Sequence, residues 1–178
     1  MTELEHLKYP IGRFDAASFK GDSDLEGAIA DIASLPIKFA GAINTLSNEQ
    51  LDTPYRPGGW TIRQLAHHVV DSHMNAYVRL KITLTEKDPT IRPYEESEWA
   101  KLEDTNATPV KVSLDMLGLL HQRWVNLIRA LDAGQLTRKY YHPGDKEWVN
   151  LRTMVAMYAW HGNHHLAHVT ELVKREGW

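Results

Sequence analysis

Apolar residues recur three and four positions apart in four long segments of the chain, and the alternation typical of strands is scarce. Residues with this spacing lie on one face of a helix, so each segment predicts an amphipathic helix. The first is expected to run from Asp24 to Leu46, with a kink or break near Leu35, because Pro36 lacks an amide proton and crowds the preceding turn. Together the four segments predict an all-α four-helix bundle.

The second and third predicted helices have recognisable starts. Just after Trp60, Thr61 and Gln64 are spaced as a capping box, from which the second helix is expected to run to about Lys87. Ser113 is expected to cap the third helix. The apolar face of that helix carries Leu117, Leu120, Trp124, Leu127 and Leu131.

The fourth predicted helix spans Leu151–Lys174, and the segments outside the helices carry turn-forming residues. Residues 1–23 are expected to form an irregular N-terminal segment, since Pro10 and Gly12 interrupt any regular pattern. The other predicted connections are a turn at Thr53–Gly59, a long connection between the second and third helices at 88–112 with a short helix near Glu95–Leu102, and a loop or short extended segment at Thr137–Asn150.

The composition favours one globular domain covering residues 1–178, since 43% of the residues are apolar and six are tryptophan. A formal net charge of −3 at pH 7 argues against nucleic acid as a partner. The absence of cysteine removes disulfides, thiolate metal ligands and a cysteine nucleophile. No apolar run reaches the ~18–20 residues of a membrane helix, and no signal-peptide core is present, so a cytoplasmic protein without membrane association is expected.

Histidines are concentrated on the fourth predicted helix. Four of the chain's 10 lie within the octet His161–His168, and imidazole is the commonest metal ligand in proteins. Two pairs, His161 with His165 and His164 with His168, have the spacing that presents two side chains on one helix face. The helical wheel places the first pair within the apolar stripe and the second nearer its edge. The pair His161 and His165 is therefore the stronger metal-binding candidate.

Two common metal-site patterns do not fit this chain. Gly162 stands where an HExxH motif would have its glutamate, so the histidine motif supplies no general base. Di-iron bundles use Glu-x-x-His pairs, and only Glu3 and His6, near the N-terminus, have that spacing. A mononuclear, histidine-rich site remains.

The second predicted helix offers three candidates for a third ligand, His67, His68 and His73. His73 lies within the apolar stripe of that helix, whereas His68 lies at its edge beside polar residues. Burial favours His73, and the polar mouth that an open site needs favours His68. Periodicity leaves the choice between them open.

Five blocks of the sequence carry a family resemblance that covers nearly the whole chain. They are YPIG at Tyr9–Gly12, the long block at Thr53–Lys81, IRPYEESEW at Ile91–Trp99, YHPG at Tyr141–Gly144 and WHGNHHLAHVTEL at Trp160–Leu172. With these blocks the chain resembles the DinB/YfiT-like family, and most closely its YfiT-type branch of metal-dependent hydrolases. The resemblance implies a four-helix bundle that binds one divalent ion through three histidines.

The resemblance also implies which histidines these are. The family's His-x-x-Asp element falls on His68 to Asp71, and its His-x-x-x-His element falls on His161 and His165. The implied triad is therefore His68, His161 and His165. For the two neighbours of His68 on the same helix, the ordinary expectations are surface exposure for His67 and core packing for His73.

A site of three neutral imidazoles leaves a tetrahedral ion one position for water. The expected activity is hydrolysis of an ester or amide bond in a small-molecule substrate by activated water, with Zn²⁺ as the preferred ion and Ni²⁺ or another late first-row ion as alternatives.

Asp71 is a weak candidate for the general base or for orienting a ligand, and a solvated carboxylate is the alternative. Arg79 is expected to form a surface salt bridge, and holding an anionic substrate is the alternative. His168 is either a support of the metal ligands or a satisfied polar residue.

Two other functional classes fit the same triad. A metal that activates water also activates a thiol, so the chain is alternatively a thiol S-transferase of the bacillithiol type, as in relatives from the broader family. A non-catalytic metal-binding bundle would need its open coordination position blocked.

The resemblance favours a homodimer, and an excess of large aromatic side chains is consistent with a self-complementary surface. Those aromatic residues are Trp99, Trp124, Tyr140, Tyr141 and Trp148.

Overall fold

The computed structural model describes residues 3–178. In chain order its elements are α1 (Glu3–Lys8), a 3₁₀ turn (Ala16–Ser18), α2 (Asp22–Ile43), α3 (Asn48–Leu51), α4 (Ile62–Thr85), α5 (Glu96–Trp99), α6 (Glu103–Ala107), α7 (Val110–Arg129), α8 (Ala133–Leu136), β1 (Lys139–His142), β2 (Glu147–Asn150) and α9 (Leu151–Glu176). The long helices α2, α4, α7 and α9 form a bundle, which confirms the predicted fold class. None of the described helices is long and apolar enough to span a membrane.

The four long helices surround two separate apolar clusters. Helix α2 packs against α7 and α9, and α4 packs against the same two helices, so α2 and α4 occupy opposite corners. One cluster, here the tryptophan cluster, is centred on the fully buried Trp124, Tyr140 and Met154. The other, the phenylalanine cluster, is centred on Phe39 and Leu117. Each long helix contributes residues to both clusters.

Local hydrogen bonds fix the ends of the two helices that carry the candidate ligands. The Thr61 hydroxyl accepts from Gln64 N at 3.1 Å, and Gln64 Oε1 accepts from Thr61 N at 3.0 Å. This reciprocal pair confirms the predicted capping box. Helix α9 begins where Asn150 Oδ1 accepts from Thr153 N at 2.8 Å, and it ends at Gly177, whose φ of 71° is the left-handed conformation that glycine adopts readily.

Pro36 was predicted to kink or break this helix, and a break is wrong, since α2 continues through the proline to Ile43. A proline inside a helix removes the bond that its amide would donate to the carbonyl four residues earlier, which here is Ile32. That carbonyl instead accepts a hydrogen bond from His121 Nδ1 of α7 at 2.7 Å. The donor lost within α2 is thus replaced by a side chain from a neighbouring helix.

The predicted start of the third helix is also wrong. Helix α7 begins at Val110 with Pro109 as its N-cap, so Ser113 lies within the first turns instead of capping the helix. A proline before the first turn sacrifices no helical hydrogen bond, because amides at that end lack helical acceptors. The Ser113 hydroxyl is instead hydrogen-bonded to His67 Nδ1 at 2.7 Å.

The connecting segments contain more regular structure than expected. The N-terminal segment, predicted to be irregular, forms α1 and a 3₁₀ turn, and it is held against α9 where Trp160 Nε1 donates to Gly12 O at 3.2 Å. The short helix expected near Glu95–Leu102 is present as α5, and a second short helix, α6, follows it. The helix predicted to reach about Lys87 ends at Thr85. The predicted extended segment forms an antiparallel hairpin, with Tyr140 paired to Val149.

Candidate metal centre

Buried histidines fill the level of the bundle between the two apolar clusters. We call this set the histidine layer, and it consists of His68 and His73 of α4, His121 of α7, and His161, His164, His165 and His168 of α9. Along each of these helices, apolar residues of one cluster precede the layer and residues of the other follow it. All seven side chains are buried except that of His161, which is partly exposed.

The structure brings the three predicted ligands together within the layer. One ring nitrogen from each of His68, His161 and His165 lies within 4.8 Å of the other two. The two Nε2 atoms of His161 and His165 are 3.1 Å apart. Zinc–nitrogen bonds of about 2.0–2.1 Å at tetrahedral angles would separate two such atoms by about 3.3 Å. The donor set and its spacing therefore fit one transition-metal ion.

Burial keeps these three imidazoles neutral. It lowers the pKa of His68 to about 4 and is the main reason why the pKa values of His161 and His165 lie well below their usual range. Repulsion between neighbouring imidazolium charges lowers the pKa of the last two further. Metal ions bind the neutral form of imidazole, so the cluster is in its ligating form at neutral pH.

A second group, His164, His165 and His168, also brings three ring nitrogens within 4.8 Å. Both ring nitrogens of His168 are already engaged, Nε2 by Lys8 O at 3.1 Å and Nδ1 by His165 Nδ1 at 3.4 Å. The ring of His164 stacks on Trp160, with centroids 4.5 Å apart. This group also shares His165 with the first, so it is the weaker metal-site candidate.

For the remaining histidines of α4 and α7, the environments predicted from the sequence agree with the structure to different degrees. His73 is fully buried, as expected, but it is hydrogen-bonded on both sides, to His121 at 2.8 Å and to His161 at 3.1 Å. His67 was expected at the surface and is in fact buried, because α7 covers it and supplies Ser113. His121 was missed, although its position four residues after Leu117 places it on the apolar stripe of α7.

Gly162 lies at the close approach of α9 to α2. A Cβ at this position would collide with the Leu35 side chain. The glutamate of an HExxH motif could not occupy this position without moving the buried Leu35 side chain. The absence of that general base thus has a packing cause.

A cleft of about 270 Å³ opens beside His161. Arg79 lines it and is 8% exposed, so the expectation of a surface salt bridge is wrong. Its Nη1 donates to the Tyr158 hydroxyl at 3.2 Å, and among the described residues it forms no ion pair within 4.0 Å. Glu96 also lines the cleft and is exposed. The cleft therefore has a buried cation in its wall.

Asp71 lies outside the cluster of ligand atoms. In the described part of the chain, no carboxylate joins the three histidines within 4.8 Å, and Asp71 is not among the residues that line the cleft. Burial, followed by the charge of Asp104, raises the pKa of Asp71 to about 6. The carboxylate is therefore near α6, and the structure gives its catalytic role no direct support.

The fold and the histidine layer define a helical-bundle protein with a candidate site for one metal ion. The chain belongs to the DinB superfamily, whose family model matches residues 36–169. It is 49% identical over 175 residues to a protein of Bacillus pumilus (strain SAFR-032) named "putative metal-dependent hydrolase", a match that covers 98% of this chain and 99% of that protein. A protein of Bacillus mycoides (strain KBAB4) with the same description matches at 49% identity, over 98% of this chain and 100% of its own.

A solved structure shows the same similarity. It is described as "YfiT from Bacillus subtilis is a probable metal-dependent hydrolase with an unusual four-helix bundle topology". The two folds superpose with a TM-score of 0.94 at 43% sequence identity, over 97% of this chain and 99% of that one. The resemblance read from the sequence, to the DinB/YfiT-like family and its YfiT-type branch, is confirmed.

Proposed function

We propose that this chain is a metal-dependent hydrolase in which His68, His161 and His165 hold one divalent ion, and that a small ester or amide substrate lies in the cleft beside His161. The observation that carries the proposal is the convergence of His161 Nε2 and His165 Nε2, 3.1 Å apart in neutral rings, next to His68 and at the edge of a cleft. The names of the relatives support the same class of enzyme.

A divalent ion bound there, with zinc preferred and nickel as the alternative, would supply the Lewis acidity that activates water and polarises a carbonyl group. The protein's own contribution is positional. Helix α9 presents two ligands from one face, α4 presents the third, and the two apolar clusters pack on either side of the layer.

Arg79 gives the cleft a preference for one kind of substrate. Among the described residues, Arg79 has no carboxylate within 4.0 Å, its Nε has no hydrogen-bond partner, and the charge of Glu96 on the same cleft reaches it only at longer range. A buried guanidinium in such surroundings is stabilised by an anionic ligand. Tyr158 holds Arg79 through its hydroxyl group, and the Tyr158 ring lies 5.7 Å from that of His161. A substrate that carries an acidic group near the scissile bond would therefore contact Arg79 while its reacting carbonyl lies beside His161.

Thiol transfer to an electrophile is the second candidate function. It is favoured by one observation: among the described residues, no carboxylate joins the three histidines. Hydrolysis benefits from a general base, whereas a thiol is a sufficiently strong nucleophile once deprotonated. A non-catalytic metal-binding bundle is disfavoured by the cleft that reaches His161.

The experiment that separates these functions is a substrate panel assayed with the zinc-loaded protein. A hydrolase should cleave esters or amides with an acidic group without any added thiol, and His165→Ala should abolish the reaction while His6→Ala, an exposed histidine of α1, should not. Adduct formation that requires a small thiol, with no hydrolysis across the panel, would replace the proposal by thiol transfer. Neither reaction in a fully loaded protein would favour the non-catalytic bundle.

Assembly is a further part of the proposal. The aromatic residues considered for a dimer surface divide in the structure: Trp124 and Tyr140 are fully buried in the core, whereas Trp148 is 50% exposed on β2. We propose a homodimer that covers Trp148. A monomeric mass by light scattering at micromolar concentration would contradict it.

A further inference from the structure

We infer that two chains of hydrogen-bonded rings, each anchored on a main-chain carbonyl, fix the orientation and the tautomer of both metal ligands on α9. The inference rests on the proposed metal site and assigns a positioning role to His73, His121 and His168. The inner relay runs from His161 through His73 and His121 to Ile32 O. The outer relay runs from His165 through His168 to Lys8 O.

The direction of the inner relay follows from its last acceptor. A carbonyl oxygen only accepts, so the proton of the His121 ring lies on Nδ1, which donates to Ile32 O at 2.7 Å. In a neutral ring His121 Nε2 then carries a lone pair, which accepts from His73 Nδ1 at 2.8 Å. His73 Nε2 in turn accepts from His161 Nδ1 at 3.1 Å.

The outer relay obeys the same rule. Lys8 O accepts from His168 Nε2 at 3.1 Å, which leaves a lone pair on His168 Nδ1. That lone pair accepts from His165 Nδ1 at 3.4 Å. In both metal ligands the proton therefore lies on Nδ1, and Nε2 is left as a lone-pair donor.

Together the relays aim two lone pairs at one point. With Nδ1 protonated in both rings, His161 Nε2 and His165 Nε2 face each other across 3.1 Å without a proton between them, an arrangement that a shared cation relieves. The reverse tautomers would turn a ring lone pair towards Ile32 O or Lys8 O, so the carbonyls disfavour them. Partners of this kind orient the ring of a ligating histidine and raise its basicity.

The anchor of the inner relay depends on Pro36. Because proline has no amide proton, Ile32 O receives no helical hydrogen bond from position 36 and is available to His121. Pro36, which was expected to kink or break α2, therefore leaves free the carbonyl oxygen that anchors the three histidines of the inner relay.

The first test compares variants by their zinc affinity, measured by competition with a chelator of known affinity. His73→Leu should weaken zinc binding by about 10–100-fold, the usual effect of losing such a partner. His73→Gln should restore most of the affinity, since an amide both donates and accepts. His67→Leu is the matched control, because it removes another buried imidazole of α4 that lies outside both relays.

Thermal unfolding of the metal-free variants separates positioning from packing. A purely structural role predicts that zinc affinity follows stability in all three variants, and that result would overturn the inference. Equal zinc affinity in His73→Leu and the wild type would overturn it as well. If His73→Leu does not fold, His168→Leu and His168→Gln provide the same comparison for the outer relay, where the longer 3.4 Å contact predicts a smaller loss.

The second test requires no variant. Nitrogen-15 NMR of the histidine rings should find the protons of His121 and His73 on Nδ1, with scalar coupling across the hydrogen bond between the two rings, and the proton of His168 on Nε2. A proton on Nε2 of His73 or His121 would overturn the inner relay. These positions can be read in metal-free protein, so a failure of zinc binding, which would end the proposed function, is distinguishable from a failure of the relays.

Discussion

Burial has different consequences for the side chains of the two apolar clusters and for those of the histidine layer between them. In the clusters, side chains such as Phe39 and Leu80 gain stability from burial alone, and their neighbours need only fill the space. In the layer, each imidazole loses hydration and must find a hydrogen-bond partner or a ligand. The hydrogen bonds of the layer run between rings and end on Ile32 O and Lys8 O. The clusters therefore account for stability, and the layer accounts for specific chemistry.

The largest effect is expected within the phenylalanine cluster. Phe39 is fully buried there, so Phe39→Ala should lower the free energy of unfolding by about 3–5 kcal/mol, through lost burial and the cavity left behind. Chemical denaturation measures the loss. Under conditions where the variant is folded, its zinc affinity should match that of the wild type. A parallel loss of zinc affinity would show that the phenylalanine cluster and the histidine layer are not separable.

Arg79 tests the chemistry of the layer's cleft. Arg79→Met should reduce kcat/KM for acidic substrates by about 10–100-fold, the range expected for a lost charge-assisted hydrogen bond, and should leave neutral substrates less affected. Arg123→Met, an exposed arginine of α7, serves as the control. An equal loss for acidic and neutral substrates would remove Arg79 from substrate recognition.

Gly162 lies where the histidine layer meets the phenylalanine cluster at Leu35. Gly162→Ala should destabilise the fold by about 1–3 kcal/mol, because the added methyl group would displace the buried Leu35 side chain. Because His161 is the adjacent residue, the zinc affinity of this variant should fall together with its stability. A variant as stable as the wild type would mean that the helices adjust freely at this level.

Asp71 should show the smallest effect, and one that depends on pH. Its folded pKa of about 6 is raised above the unfolded value, so in metal-free protein the stability contribution is present at pH 4 and is lost as the pH rises through 6. Asp71→Asn should therefore equal the wild type near pH 4 and exceed it by no more than about 1 kcal/mol at pH 8, since solvent screens this half-buried group. Urea denaturation at the two pH values checks this. Curves with the same difference at both pH values would show that Asp71 is not desolvated.

The apolar clusters were largely predictable from sequence, whereas the connections within the histidine layer were not. Helical spacing predicted the four long helices, and the pair His161 and His165 followed from the same periodicity. The family resemblance, and not periodicity, selected His68 over His73. Spacing along one helix carries no information on which rings meet across helices, so the contacts between α4, α7 and α9 required the structure.

Two wrong predictions have the same origin. Pro36 was expected to kink or break α2, and Ser113 was expected to cap α7, because local rules treat each segment alone. In the structure both positions serve contacts to other helices. Pro36 leaves Ile32 O free for His121, and Ser113 partners the buried His67.

Elemental analysis of purified protein decides whether His68, His161 and His165 hold one divalent ion. We expect one equivalent of zinc or another late first-row metal per chain in the wild type, and a large loss in His68→Ala, His161→Ala and His165→Ala. His67→Ala, at the neighbouring position on α4, should keep its metal. Full occupancy in both His161→Ala and His165→Ala would contradict the claim.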